Sequence, residues 1–379
     1  MSDTTCQRET IAQRTFLEHG ESRADALCQA LGLPERARSM REVFRSLSSP
    51  WGSWTIGDQP RWHPSILSDD HAPYELSVAF WGGPSPNTQL YLEAQDLEPG
   101  GSAPSLRSNM VAGLALLDEI SKRHNVSLDR FRAIRDLFLP EDPQGLFTIL
   151  FGITWVGSEA PRFKLYLNPQ VRGAAASAEL VQTAMERLGF GEAWSLVRSQ
   201  ASSPDPALDV PMYLCLDLAA HAHARVKIYR RHYQATTARV DELAQVAANY
   251  RAGDALDFMG MLGGSEGPFV SKPVITSLVF TEAVADRPTS VTLGFPVSSY
   301  VDNDRVASER IVRCLEFYGL DAAPYRKLIK AFAERPLEAG NGIHAHASLK
   351  RLGADPCVTV YLATEAYGFE RLSWPSKPG

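Results

Sequence analysis

Between residues 162 and 168 the chain alternates strictly: Arg162, Lys164, Tyr166 and Asn168 on one side, Phe163, Leu165 and Leu167 on the other. A strand sends successive side chains to opposite faces, so this run has one face to bury and one polar face. The pattern recurs. Arg225, Lys227, Tyr229 and Arg231 oppose Val226 and Ile228, and Glu75, Ser77 and Ala79 oppose Leu76, Val78 and Phe80. Thr292 and Gly294 oppose Val291, Leu293 and Phe295, and Thr359 and Tyr361 oppose Val358, Val360 and Leu362. These runs belong to close pairs of strand-like segments, near 73–81 with 88–95, 148–156 with 161–168, 211–218 with 224–231, 273–282 with 289–297, and 343–350 with 356–364. Such short connections demand antiparallel hairpins and not βαβ crossovers. Helical stretches lie between the pairs, near 104–122, 128–138, 176–190, 236–249, 303–318 and 322–334. Ten antiparallel strands in sequential order curl and close, which removes exposed edges. The predicted class is α+β: a ten-stranded antiparallel β-barrel of five strand pairs with a polar lumen, surrounded by a ring of α-helices.

The ends fit one domain over 1–379, with N-terminal helices in 1–50, barrel repeats in 51–370 and a tail in 371–379. Residues 8–31 and 36–48 read as helices, separated by Gly32 and Pro34; 250–272 reads as a helix end and a flexible loop. A net charge of -6 gives no support for nucleic-acid binding. The five cysteines, Cys6, Cys28, Cys215, Cys314 and Cys357, are odd in number and scattered, as free thiols in a reducing compartment would be. The polar start lacks a signal-peptide core, and no apolar stretch approaches the roughly 20 residues that span a membrane. A cytoplasmic protein is expected, as monomer or homodimer.

If the apolar faces pack on the helices, the polar faces point inward. Tyrosines standing beside Lys and Arg, and the repeated Arg-x-Lys-x-Tyr at 162–166 and 225–229, favour this over a solvated face. The lumen then becomes a chamber for an anionic ligand. Lys and Arg clusters suit a diphosphate and stabilise the charge that develops as it leaves. Tyrosine faces suit the carbocation left behind. The aspartate-rich D-D-x-x-D of metal-dependent prenyl transfer is missing: Asp69-Asp70 and Asp302-Asn303-Asp304 do not fit it, and the latter reads as a helix cap. No metal is expected at His221-x-His223 or His344-x-His346, which lack carboxylate partners, although either of the latter pair could line the chamber. Trp51, Trp54, Trp62, Trp81 and Trp155 could stack on an indole but read more simply as core. The Gly runs at 82–84 and 263–267 lack the strand-to-helix setting of a nucleotide loop, and no nucleophile elbow is present.

Taken in order, K-L-Y-L-N-P at 164–169, R-V-K-I-Y at 225–229, P-Y-E-L-S at 73–77 and the closing V-T-V-Y-L-A-T-E-A-Y at 358–367 resemble the dimethylallyltryptophan synthase family, in particular its bacterial indole prenyltransferases. The resemblance runs from about 10 to 370. It implies the α-β-β-α prenyltransferase barrel and transfer of a dimethylallyl group from dimethylallyl diphosphate to an indole, L-tryptophan first, with no metal cofactor. It implies Glu75 as the catalytic carboxylate at the indole N–H, and Lys164, Arg225, Lys227 and Thr292 at the diphosphate. Tyr166, Tyr229 and Tyr361 would shield the cation. Thr292 stands where fungal members often carry Gln or Lys, Gly294 where they carry Tyr, and Gln89 where Arg is usual. No residue matches the arginine that fungal enzymes set against the substrate carboxylate. By analogy with bacterial relatives the target carbon is C6. The alternatives are a tryptophan-containing cyclic dipeptide, an indolactam or a tyrosine as acceptor, and, outside the enzymes, a carrier of an anionic hydrophobic ligand. A lumenal Glu75 favours the enzyme, because aromatic substitution needs a proton acceptor.

Overall fold

A computed structural model describes residues 11–60, 65–96, 105–200, 206–284 and 286–367. Its strands are β1 (Tyr74–Trp81), β2 (Asn87–Glu93), β3 (Ile149–Trp155), β4 (Arg162–Leu167), β5 (Asp209–Asp217), β6 (Val226–His232), β7 (Val274–Phe280), β8 (Ser290–Phe295), β9 (His344–Leu352) and β10 (Asp355–Leu362). Each pairs antiparallel with its sequence neighbours, and β10 returns to β1, closing a ten-stranded barrel. The predicted strand pairs all form, with ends shifted by a few residues.

The apolar face of each strand points outward. Leu165, Leu167, Val226 and Ile228 are fully buried there against the helices. Removing each such side chain from water contributes about 1.5–3 kcal/mol, which is why the alternation dictates the architecture. The covering helices are α1 (Phe16–Ala30), α2 (Pro34–Leu47), α3 (Leu106–Arg123), α4 (Asp129–Phe138), α5 (Ser177–Arg187), α6 (Gly191–Gln200), α7 (Thr237–Ala244), α8 (Asp254–Gly263), α9 (Asp304–Phe317) and α10 (Ala323–Phe332).

Two helices depart from expectation. The stretch 176–190 holds α5, which ends before Gly189 at φ 82, and the separate α6 that follows it at Gly191–Gln200 was not expected. The expected loop at 250–272 contains α8, whose two glycines weaken its helical propensity. Tertiary burial decides: Ala255, Phe258, Met259 and Leu262 recur at helical spacing and all are fully buried. Within the expected capping cluster Asn303 caps α9, accepting from the Val306 N–H at 3.1 Å. Asp304 is instead buried, where it receives Arg335 and His344.

Trp51 lies in the core with Phe16 and Phe44, and Trp155 turns outward to donate to Ser39 Oγ at 2.9 Å. Trp54 packs against the same core, and the Trp81 indole donates to the Ser85 carbonyl. Cys28, Cys215, Cys314 and Cys357 are free and buried. Trp62, Cys6 and the tail at 371–379 lie outside the described residues. Among the described residues no helix is long and apolar enough to cross a membrane.

Candidate active site

Cross-strand partners share a face, so the register can be followed around the inside of the barrel. Glu75 pairs with Tyr91, Tyr91 with Gly152, Gly152 with Lys164 and Lys164 with Asp217. Lys227 pairs with Cys215, Tyr229 with Ser277, Ser277 with Thr292, Thr292 with Lys350 and Tyr361 with Ser77. All eight residues singled out in the sequence therefore stand on the lumenal face.

Because the strands alternate in direction, the register also places each residue along the barrel axis. At the end where β1 finishes stand Lys164, Arg225, Lys227 and Lys350. Lys164 Nζ donates to Thr154 Oγ1 at 2.8 Å and to Gln89 Oε1 at 3.3 Å, both neutral acceptors. Burial, then the neighbouring Arg225, lowers its pKa to about 8. Lys227 is pushed well below the usual lysine range by burial, then by Arg225 and Lys164, and Lys350 is lowered by burial. Arg225 differs. It grips Asp217 through Nε to Oδ2 at 2.7 Å and Nη2 to Oδ1 at 3.2 Å. Burial works against both charges, yet each holds the other ionised: Asp217 falls to about 2 and Arg225 is raised. Arg225 is thus a paired cation, whereas burial loosens the protons of the three lysines.

Tyrosines form a belt at mid-height. Ring centroids are 6.1 Å apart for Tyr91–Tyr166, 5.8 Å for Tyr91–Tyr361, 5.9 Å for Tyr166–Tyr229, 5.7 Å for Tyr166–Tyr213 and 5.5 Å for Tyr213–Tyr229. Burial keeps the phenols of Tyr91 and Tyr166 well above their ordinary pKa, so they are neutral. Gly152 makes the belt possible. A Cβ there would lie 2.9 Å from the Tyr166 ring and 3.4 Å from Tyr91. At Gly294 a Cβ would meet the Ile275 side chain at 3.3 Å.

At the end where β1 begins the charges are mixed. Glu75 is 6% exposed, and burial, then Asp69, raises its pKa well above the carboxylate range while Lys272 pulls it down. Glu75 is thus enclosed within the lumen. Asp69 receives Lys272 Nζ and Ser298 Oγ, and Asp70 receives the backbone N–H groups of Ala72 and Ala366. Neither aspartate is left for a metal, and among the described residues no group of three His, Cys, Asp or Glu side chains is arranged to hold one. Glu93 is 2% exposed and raised to about 8 by burial. Ile66 and Leu67 of the preceding segment pack onto the tyrosine belt. His346 faces the lumen beside Tyr361, whereas a register shift in β9–β10 turns His344 outward to Asp304 and Tyr325. His221 and His223 are exposed in the β5–β6 turn.

Sequence reasoning passed over Tyr91, Tyr213, Asp217, Glu93 and Lys350. The alternation carried all of them plainly: Tyr91 and Glu93 follow Gln89, Tyr213 and Asp217 flank Cys215, and Lys350 follows His346 and Ser348 opposite Ala347 and Leu349.

A dianion-sized set of cations, a neutral aromatic belt and a buried carboxylate in one closed lumen can bind a diphosphate, shield a cation and hold a hydrogen-bond donor. The comparisons agree. The family model for tryptophan dimethylallyltransferase matches residues 31–257. The chain is similar to 6-dimethylallyltryptophan synthase from Micromonospora olivasterospora in complex with DMASPP and Trp, at 32% identity, covering 95% of this chain and all of that one, with a TM-score of 0.87. It is similar to 5-dimethylallyltryptophan synthase from Streptomyces coelicolor in complex with DMASPP and Trp, at 28% identity, 96% and 99% coverage and a TM-score of 0.83. Prenyltransferase PriB, in a binary complex with product diphosphate, gives 29% identity, 96% and 100% coverage and a TM-score of 0.85. With the family matched over more than half the chain and the fold over nearly all of it, this prenyltransferase belongs to the tryptophan dimethylallyltransferase family.

Proposed function

We propose that the enzyme transfers the dimethylallyl group of dimethylallyl diphosphate to C6 of L-tryptophan, with no metal ion taking part. The observation that carries this reading is the polarity of the lumen: lysines at one end, tyrosines in the middle, Glu75 at the other. The diphosphate lies against Lys164, Lys227 and Lys350, with Arg225 and Thr292 beside them, and its arrival restores protons that burial had loosened. The allylic C1–O bond breaks and its electron pair leaves with the diphosphate, whose charge the lysines neutralise in place of a metal. Tyr166, Tyr229, Tyr361 and Tyr91 face the resulting cation and exclude water. The indole donates its N–H to Glu75, which favours the ionised carboxylate and stabilises the positive arenium ring. A new bond forms between C6 and the allylic carbon. The C6 proton then leaves to the diphosphate, restoring aromaticity.

The orientation supports a benzene-ring target. In indole the N–H lies in the five-membered ring, so an N–H held by Glu75 aims the benzene carbons along the axis towards the lysines. Relatives whose structures hold tryptophan and the thiolodiphosphate include 6- and 5-dimethylallyltryptophan synthases and PriB, and the first two are in keeping with this orientation. The test is incubation with dimethylallyl diphosphate and L-tryptophan in excess EDTA. Sustained formation of a mono-prenylated tryptophan is expected. Loss of turnover with EDTA and rescue by magnesium would overturn the metal-free mechanism, and turnover only of a cyclic dipeptide, indolactam or tyrosine would replace the acceptor.

A further inference from the structure

Among the cations that meet the diphosphate stands a carboxylate to which the chemistry above gives no part. Asp217 closes β5 on the lumenal face, opposite Lys164, with its side chain 15% exposed. It receives three donors from one residue: the Arg225 backbone N–H at 3.1 Å, Nε at 2.7 Å and Nη2 at 3.2 Å. Its own N–H donates to the Arg225 carbonyl at 2.9 Å, so the two residues bracket the β5–β6 turn. The grip engages Nε and Nη2, and among the described residues none accepts from Nη1.

Few charged groups act on Lys164, Lys227 and Lys350. Arg225 opposes the protonation of all three. Cys215 of β5 and Cys357 of β10 are thiols raised by burial, Cys215 to about 11, and so are neutral. At this end Ala79, Gln89, Thr154, Val279 and Thr292, from β1, β2, β3, β7 and β8, carry no charge. Arg162, further out on β4, is exposed and paired with Glu159. Asp217 is the carboxylate that favours the charged form of all three lysines.

We propose that Asp217 is the resident counter-ion of the diphosphate end, a positioning residue that turns the free edge of Arg225 to the incoming anion and keeps the lysine cluster charged until that anion arrives. The inference rests on diphosphate binding at this end and adds to it a residue that acts through its neighbours. Cations crowded into a water-poor space shed protons unless an anion stands among them. A carboxylate fixed in the barrel wall lets them stand ready, and a site assembled in advance stabilises the departing charge without rearrangement.

The test follows the alkaline limb of kcat/KM for dimethylallyl diphosphate, which reports groups of the free enzyme. Asp217→Asn keeps the shape and leaves the guanidinium without its counter-ion. The lysines then lose their protons earlier, and the limb should move down by about one pH unit. Arg225→Gln leaves the carboxylate without its cation, and the limb should move up by about as much. General damage to the β5–β6 turn does not produce shifts of opposite sign. Asp217→Glu, which keeps the charge, should hold the limb near its wild-type position. A limb unmoved in Asp217→Asn or in Arg225→Gln, or moved the same way in both, overturns the proposal, and either variant decides alone if the other does not fold. Failure of the reading beneath looks different: inorganic pyrophosphate then does not compete with dimethylallyl diphosphate on the wild-type enzyme, and the proposal falls with it.

Discussion

Glu75 shows how one position can be chemically demanding. A carboxyl buried to this degree favours its proton, yet the role proposed for it at the indole N–H calls for an anion. The lysines face the opposite demand, since burial removes the protons that diphosphate binding requires. The signs combine into a bell. A raised carboxyl is active only above its pKa, and a lowered lysine only below its own, which for Lys164 is about 8 in the empty chamber. The profile of kcat/KM against pH should therefore rise on the acid side with Glu75 and fall on the alkaline side with the lysines. A rate that still climbs well above the alkaline limb would remove the lysines from diphosphate binding. Glu75→Gln keeps shape and hydrogen bonding but loses the charge. Its kcat should drop by at least about a hundred-fold, because the arenium ion loses the negative charge that stabilises it, with the KM for dimethylallyl diphosphate little changed. Near wild-type turnover in a folded Glu75→Gln enzyme would transfer the role to another group.

At the scale of elements, strand pairs and their inward faces were legible because burial on one side of a sheet enforces strict alternation. Where the alternation breaks, legibility ends. The shift between Tyr361 and Leu362 turns His344 away from the chamber against the alternation of its strand, and a second shift lies between Pro211 and Tyr213 in β5. Helix α8 was unreadable for another reason, since its glycines speak against a helix that only packing supports. Pairing inside the lumen was also beyond the pattern: alternation places Arg225 and Asp217 on one face but does not reveal that they hold each other. β3 contributes the least conspicuous part of the site, an absence of side chain at Gly152. Gly152→Ala should force Tyr166 or the strand to move, destabilising the fold by about 1–3 kcal/mol. Denaturant unfolding would measure that loss, and kcat should fall with it because the tyrosine belt loses its fit. A fully stable, fully active Gly152→Ala enzyme would show that the belt tolerates displacement.

For the whole molecule, closing ten strands does two things at once. It removes every sheet edge, and it gathers side chains distant in sequence into a water-poor space whose ends differ in charge. The helices bury the outer apolar faces and so leave the inner faces for chemistry. On the proposed mechanism this polarity accounts for the metal-free neutralisation of diphosphate, the shielding of the cation and the direction in which the indole points. The last of these is read directly from the product of dimethylallyl diphosphate and L-tryptophan, by NMR assignment of the prenylated carbon. An indole held by its N–H at Glu75, with its benzene ring towards the lysines, yields 6-dimethylallyltryptophan. Attachment at N1, C2 or C3 would mean that the five-membered ring faces the cation, and would contradict the arrangement on which the account stands.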